Sequence, residues 1–178
     1  MIVLASGSPQ RRAILEQLGI EFRVQAPEVE EAVAGEPRAL VIENALRKAR
    51  AVTGLTVLGV DTAVVADGRV LGKPRDEAQA REFLAALGGR SHHVWSGLAV
   101  VDDGGERTAA AVTEVRFRPL EASDVDRYVA TGEWRGRAGG YAIQGRGAAL
   151  VEAIEGDYLN VVGLPVAELV RVAPELLP

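Results

Sequence analysis

The stretch VLGVDTAVVADGRVLGKP, residues 57–74, sets an acid and a lysine on either side of a turn. Asp61 follows an apolar run, Asp67-Gly68 is a two-residue hairpin signal between β-prone segments, and Lys73 lies just beyond the return strand. A hairpin there brings Lys73 back within reach of Asp61. An acid at the end of a strand, at the carboxyl edge of a sheet, suits a metal ligand or a general base. With Lys48 and Arg11 added, carboxylates and several cations converge. That mixture suits cleavage of a phosphoanhydride: cations neutralise phosphate oxygens and a carboxylate orients or deprotonates the attacking water.

The use of lysine points the same way. Of 20 basic residues only Lys48 and Lys73 are lysine, the others being arginine. In a chain so biased, the exceptions mark places where a compact ammonium serves and a planar guanidinium does not. Asparagine is equally scarce, with Asn44 and Asn160 alone, which together with much arginine and no cysteine suits a thermophile or a GC-rich genome.

Three further segments carry candidate chemistry. ASGSPQRR, residues 5–12, is a strand, a small polar turn and a helix start, where free N–H groups and the positive dipole end favour an anion. Ser6, Gly7 and Ser8 allow close approach there, and Arg11 and Arg12 add charge. The spacing is not that of a P-loop. The acidic loop PEVEEAVAG, residues 27–35, holds Glu28, Glu30 and Glu31, either as a solvated face or as the source of one ligand to a hard divalent cation. GGYAIQGRG, residues 139–147, lets the backbone approach a ligand; Gln144 can offer a donor and an acceptor to a nucleobase edge, and Tyr141 either stacks on it or is a core tyrosine in a glycine-rich turn.

Elements must position these groups. The pattern predicts strands at 2–5, 21–26, 56–60, 63–66, 69–72, 93–102, 106–118 and 148–154. Helices are predicted near 9–18, 37–52, 77–87, 122–131 and 165–172, with Ser8 and Asp76 as N-caps and Gly19 and Gly88-Gly89 as stops. Ala80, Phe83, Leu84 and Leu87 make the apolar stripe of the third helix. Alternation of strands and helices with central hairpins gives an α/β class: a mixed sheet with flanking helices, in one domain of 178 residues with two lobes around a cleft.

Composition excludes several function classes. There is no cysteine, so disulfides, thiol nucleophiles and zinc-thiolate sites are out. With only His92 and His93, a three-histidine zinc site is impossible. A net charge of −5 argues against non-specific nucleic-acid binding. No apolar run is long enough to span a membrane, and Met1–Ala5 is too short for a signal peptide, so the expected compartment is the cytoplasm.

Taken together, LASGSPQRRAILEQLG, ENALRKARAV, VLGVDTAVV, LGKPRDEAQAREFLAALGGRSHHVWSG, TEVRF, YVATGE and AGGYAIQGRGAALVEAIEGDYLNVVGLP resemble the Maf family of nucleoside triphosphate pyrophosphatases, in order and across nearly the whole chain. The resemblance implies an inosine-triphosphatase-like α/β fold with a deep cleft, often dimeric. It implies hydrolysis of the α–β phosphoanhydride to a nucleoside monophosphate and pyrophosphate, with a divalent cation: Mg²⁺, or alternatively Mn²⁺ or Co²⁺. By motif Asp61 matches the proton acceptor and a metal ligand, with Glu31 as the second ligand. Ser8, Arg11, Lys48 and Lys73 match phosphate-binding positions. Gln144, within YAIQG, resembles the branch acting on dTTP and UTP; Thr62 and the residue after Ser-Pro also belong to the specificity pattern. That residue is Gln10 where arginine is usual, which removes a charge near the base or phosphate pocket, and Arg137 stands where lysine is usual. The alternatives are a pyrophosphatase for 7-methyl-GTP, inosine-type or other non-standard nucleotides, and a non-catalytic regulator of septum formation.

Overall fold

Strand parity decides where the chemistry sits. In β1 (Ile2–Leu4) and β3 (Thr56–Ala66), alternate side chains point to opposite faces of a sheet that is buried on both, so the strands read as nearly unbroken apolar runs. Ile2, Leu4, Leu58 and Val60 join one core cluster with Ile14 and Leu15 of α1 (Pro9–Gln17) and Leu169 of α6 (Val166–Val172). Val3, Ala5 and Val57 join another with Ala45 and Ala49 of α2 (Pro37–Arg50). The even residues of β3 therefore face α1 and the odd ones face α2. Asp61 is odd and Thr62 even, so these polar neighbours are aimed at different helices.

The computed structural model describes residues 1–178. The remaining elements are β2 (Phe22–Val24), β4 (Arg69–Leu71), α3 (Glu77–Leu87), β5 (Ser91–Asp102), β6 (Gly105–Phe117), α4 (Ala122–Ala130), β7 (Val151–Glu155) and α5 (Tyr158–Val162). The sheet order is β2-β1-β3-β5-β6-β7, with β4 on β3. β1 pairs in parallel with β2 and β3, while β3–β4 and β6–β7 are antiparallel. This is the expected mixed-sheet α/β class with flanking helices. The chain divides into two compact units: 1–62, 95–111 and 159–178 form the first, and 63–94 and 112–158 the second.

Two helix ends follow local rules. Gly19, at φ +70°, accepts the left-handed turn after α1. Pro37 opens α2, and the Glu36 carboxylate accepts from the backbone N–H groups of Arg38 and Ala39, which holds its pKa below the usual range. α2 lies very close to the strands beneath it. A Cβ at Gly59 would overlap the Ala45 carbonyl oxygen, and one at Gly97 would stand 2.5 Å from the Val41 carbonyl. Glycine at both places lets helix backbone rest on strand backbone.

The structure corrects several boundaries. The predicted strands 56–60 and 63–66 are one strand, because Asp61 and Thr62 are each bound by side chains on their own face and the backbone has no reason to break. The hairpin after it forms as expected: Asp67 and Gly68 have φ of +48° and +73°, and Leu71 lies opposite Val64. The strand predicted at 148–154 begins only at Val151, after a 3₁₀ turn over Arg146–Leu150. α5 has no sequence-based counterpart, being only five residues between Gly156 and Gly163.

In the second unit His92 is buried, its Nε2 2.8 Å from the Tyr141 hydroxyl and its ring edge-on to Phe117 and Tyr141. Burial, helped by the charge of His93, brings its pKa down to about 4. Unfolded, the same histidine titrates near 6.5, so it stays neutral longer in the fold than in the open chain. Its contribution is fully present above pH 6.5. Stability attributable to it should fall by about 1.4 kcal/mol per pH unit as the pH drops from 6.5 towards 4, then level off. Comparing denaturation midpoints of the unmodified chain and His92→Phe across pH 4–7 checks this: the difference between the two should change with that slope, and parallel curves would contradict it.

Candidate functional site

The first unit assembles five of the expected residues. Asn44 and Lys48 are one turn apart on α2, so both side chains reach the same point of β3. Lys48 Nζ lies 2.6 Å from Asp61 Oδ1, and Asn44 Nδ2 donates to Asp61 Oδ2 at 3.0 Å. Lys48 Nζ also lies 3.0 Å from Glu31 Oε1. Thus one buried ammonium joins a buried carboxylate to one on the acidic loop, Glu31 being 40% exposed in its side chain. Asp61 and Lys48 are both buried charges, and each is paired and hydrogen-bonded, as such groups must be.

Asp61 is the sixth residue of an 11-residue strand, not a strand end as the sequence suggests. The difference is local. β1 stops at Leu4, opposite Leu58, so β3 runs on past its parallel neighbour and Asp61 occupies the part beyond it.

On the other face Thr62 meets Arg11. Arg11 is buried, and its guanidinium donates through Nε to the Gly163 carbonyl at 2.9 Å, through Nη1 to Ser6 Oγ at 2.8 Å and through Nη2 to Thr62 Oγ1 at 3.1 Å. Burial lowers its pKa, while the charges of Asp61 and Glu31 act in the opposite direction. Thr62 and Ser96 hydroxyls lie 2.9 Å apart, and Ser96 Oγ donates to the Asn160 carbonyl. Each hydroxyl has one proton, so the order is set: Arg11 to Thr62, Thr62 to Ser96, Ser96 to the carbonyl. Two basic groups of the first unit, Arg11 and Lys48, thus stand on opposite faces of β3 with consecutive residues Asp61 and Thr62 between them.

At the start of α1, Ser8 occupies the N-cap position with extended φ/ψ. Its hydroxyl does not cap the helix as predicted. It donates to Gln10 Oε1 at 2.9 Å, the glutamine side chain competing successfully with the backbone. Ser6 Oγ accepts from the Ser8 N–H instead, besides its bond from Arg11.

The remaining candidates belong to the second unit. Lys73 is exposed just after β4, and Gln144 is exposed in the turn before Arg146. Glu133 holds that turn by accepting from the backbone N–H groups of Arg146 and Gly147, and a Cβ at Gly145 would press on its carboxylate. Tyr141 is not available for stacking: it is buried edge-on to His92 and Phe117, and burial raises its pKa. Its position in YAIQG is a core position.

Sequence reasoning missed Asn44, Ser96 and the Gly163 carbonyl as parts of the site. Asn44 had a signal in its rarity, and both asparagines of the chain prove to be fully buried polar residues. Ser96 and Gly163 had none, since a serine inside a strand and a glycine after a short helix are ordinary in composition.

The model of the Maf-like protein family matches residues 1–176. The dTTP/UTP pyrophosphatase of Symbiobacterium thermophilum is 51% identical over 176 residues, covering 96% of this chain and 91% of that protein. The dTTP/UTP pyrophosphatase of Moorella thermoacetica is 52% identical over 176 residues, covering 94% and 91%. That of Anaeromyxobacter sp. is 50% identical over 187 residues, covering 99% and 91%. Among solved structures, the Staphylococcus aureus Ham1 protein aligns with a TM-score of 0.47 and 15% identity over 65% of this chain and 71% of its own, a likeness too loose to carry an argument. With the family model matching from the first residue nearly to the last, and half of all positions shared with relatives of similar length, this chain belongs to the Maf family.

Proposed function

We infer that the chain is a nucleoside triphosphate pyrophosphatase that hydrolyses dTTP and UTP to the monophosphate and pyrophosphate. The observation that carries this reading is the buried Asp61 held between Lys48 and Asn44, with Glu31 on the same ammonium, in a chain about half identical to proteins named for that activity.

The arrangement supports the following chemistry. Asp61 Oδ1 faces Lys48 and Oδ2 faces Asn44, and each carboxylate oxygen keeps further acceptor capacity. Asp61 accepts a proton from the water that attacks the α-phosphorus, and pyrophosphate leaves with the bond electrons. Lys48 holds the carboxylate in place and offers positive charge where the phosphate gains negative charge. Arg11 orients Thr62 and supplies charge on the α1 side, and the family pattern assigns phosphate oxygens to Ser8 and to Lys73.

Glu31 and Asp61 are suited to a divalent cation, although no group of three acidic or histidine side chains assembles anywhere in the chain. Mg²⁺ is commonly held by one or two carboxylates together with substrate phosphates, and Glu31 and Asp61, both on Lys48, would each offer it the acceptor capacity that the ammonium leaves unused. The cation would withdraw charge from the phosphate oxygens. Mn²⁺ and Co²⁺ would serve through the same oxygens. The family pattern assigns the base edge to Gln144, and Gln10, tied to Ser8, replaces a charge at the specificity position. No helix is long and apolar enough to cross a membrane. The family pattern supports a homodimer working in the cytoplasm on a small-molecule substrate, without nucleic acid.

The test is pyrophosphate release with Mg²⁺ across dTTP, UTP, CTP, 7-methyl-GTP, ITP and dATP. Turnover should be highest with dTTP and UTP. Preference for another nucleotide keeps the chemistry and moves attention to Gln10. No release from any of them would overturn the enzymatic reading in favour of a non-catalytic regulator.

A further inference from the structure

Asn44 is 2% exposed and makes three hydrogen bonds with its one amide. Its Oδ1 accepts from the Ala32 N–H at 2.8 Å, and its Nδ2 donates to the Ala32 carbonyl at 3.0 Å and to Asp61 Oδ2 at 3.0 Å. The amide thus copies a backbone pairing onto the peptide groups of one loop residue and spends its second N–H on the carboxylate. Its orientation is unambiguous. A flipped amide would face the Ala32 N–H with its own N–H, and both the Ala32 carbonyl and Asp61 with its oxygen.

Ala32 follows Glu31 in a loop, residues 25–33, that has no regular secondary structure to hold it. Its neighbours Glu30, Glu31 and Val33 are exposed, Val33 at 81%. The Arg47 guanidinium adds a second tie at the Glu30 carbonyl, but that bond is exposed to solvent. The buried tie is Asn44, and its other end is Asp61.

We propose that Asn44 is a positioning residue for the pyrophosphatase reaction: it couples the Glu31 loop to Asp61, so that the two carboxylates are presented together at one fixed spacing. The inference rests on the proposed function. It goes beyond it by making the catalytic geometry depend on a residue that need not touch the substrate. Helix α2 then acts as a ruler, with Lys48 setting the charge between the carboxylates and Asn44, one turn earlier, setting the loop.

The experiment has three arms. In the unmodified chain, amide hydrogen exchange should show the Ala32 N–H protected well beyond those of Glu30, Glu31 and Val33; equal exchange would overturn the clamp without reference to activity. Asn44→Ala should lower kcat for dTTP about 10- to 100-fold with a smaller change in KM, since misplaced catalytic groups cost rate more than affinity. Paired with Glu31→Gln, its loss should be less than the product of the two single losses, whereas a general weakening of the fold would multiply. Asn44→Asp keeps the shape and the acceptor for the Ala32 N–H but sets an oxygen against the Ala32 carbonyl and a like charge against Asp61. It should lose kcat at least as severely. If either variant fails to fold, the exchange arm, which needs no variant, keeps the proposal testable. Full kcat in either variant overturns the proposal. If the unmodified chain releases no pyrophosphate, the proposed function fails and this inference with it, whatever the exchange arm shows.

Discussion

Asp61→Asn lowers kcat for pyrophosphate release from dTTP by about 10²- to 10⁴-fold, the range expected for a removed general base. The substitution is nearly isosteric. Its amide oxygen can accept from Lys48 or from Asn44 but not from both, and Lys48 keeps Glu31 as its one carboxylate, so the core around β3 should survive with a lowered melting temperature. KM for the nucleotide should move far less than kcat, because the proposed role of Asp61 is toward the attacking water and the phosphate oxygens are assigned to other residues. Steady-state pyrophosphate release at saturating nucleotide reads the effect directly. A folded D61N protein with an undiminished rate would take the proton-acceptor role away from this residue.

Lys48→Met should cost about 10²- to 10³-fold in kcat/KM, the scale of a lost charged donor at a developing anion. Methionine keeps the length and the apolar stem but removes the ammonium that joins Asp61 to Glu31 at 2.6 and 3.0 Å. Stability should fall as well, since a buried carboxylate then has lost its cation. Lys48→Arg separates charge from shape. It retains a cation, so the fold should hold, yet the wide planar group cannot sit between the two carboxylates as a compact ammonium does. Its activity should stay at least tenfold below the unmodified chain. Measuring kcat/KM and thermal midpoint for both variants distinguishes the two losses. Full activity in K48R would mean that lysine at this position is incidental.

The sequence made the elements legible wherever local rules agreed with tertiary ones. The Asp67-Gly68 turn, the Asp76 cap with its bond to the Gln79 N–H, and the apolar stripe of α3 were all readable because each depends on a few adjacent residues. Where two polar residues interrupt a strand, at Asp61 and Thr62, the sequence pattern predicts two strands in place of one. Nothing local says that α2 and α1 will supply partners on opposite faces. The same limit hid Asn44: its role exists only once α2 is laid against β3 and the acidic loop. For Tyr141 the sequence allows either stacking on a base or a core position; the structure puts it in the core, against His92 and Phe117. Lys48 was legible through its rarity, and its arginine-rich background supplied the contrast.

The glycines beneath α2 have a consequence for anyone who would engineer this protein. Replacing glycine by alanine is a common route to thermostability, because it stiffens the unfolded chain. At Gly59 and Gly97 that route is closed, since even a methyl group meets the helix backbone. Forcing one in would lift the helix that carries Asn44 and Lys48, and activity would be lost along with stability. Gly72 is different: a Cβ there meets nothing within 4 Å and its φ is not in the left-handed region. A library built for heat resistance should therefore spend its alanines at positions like Gly72, and leave untouched the two glycines on which the working helix rests.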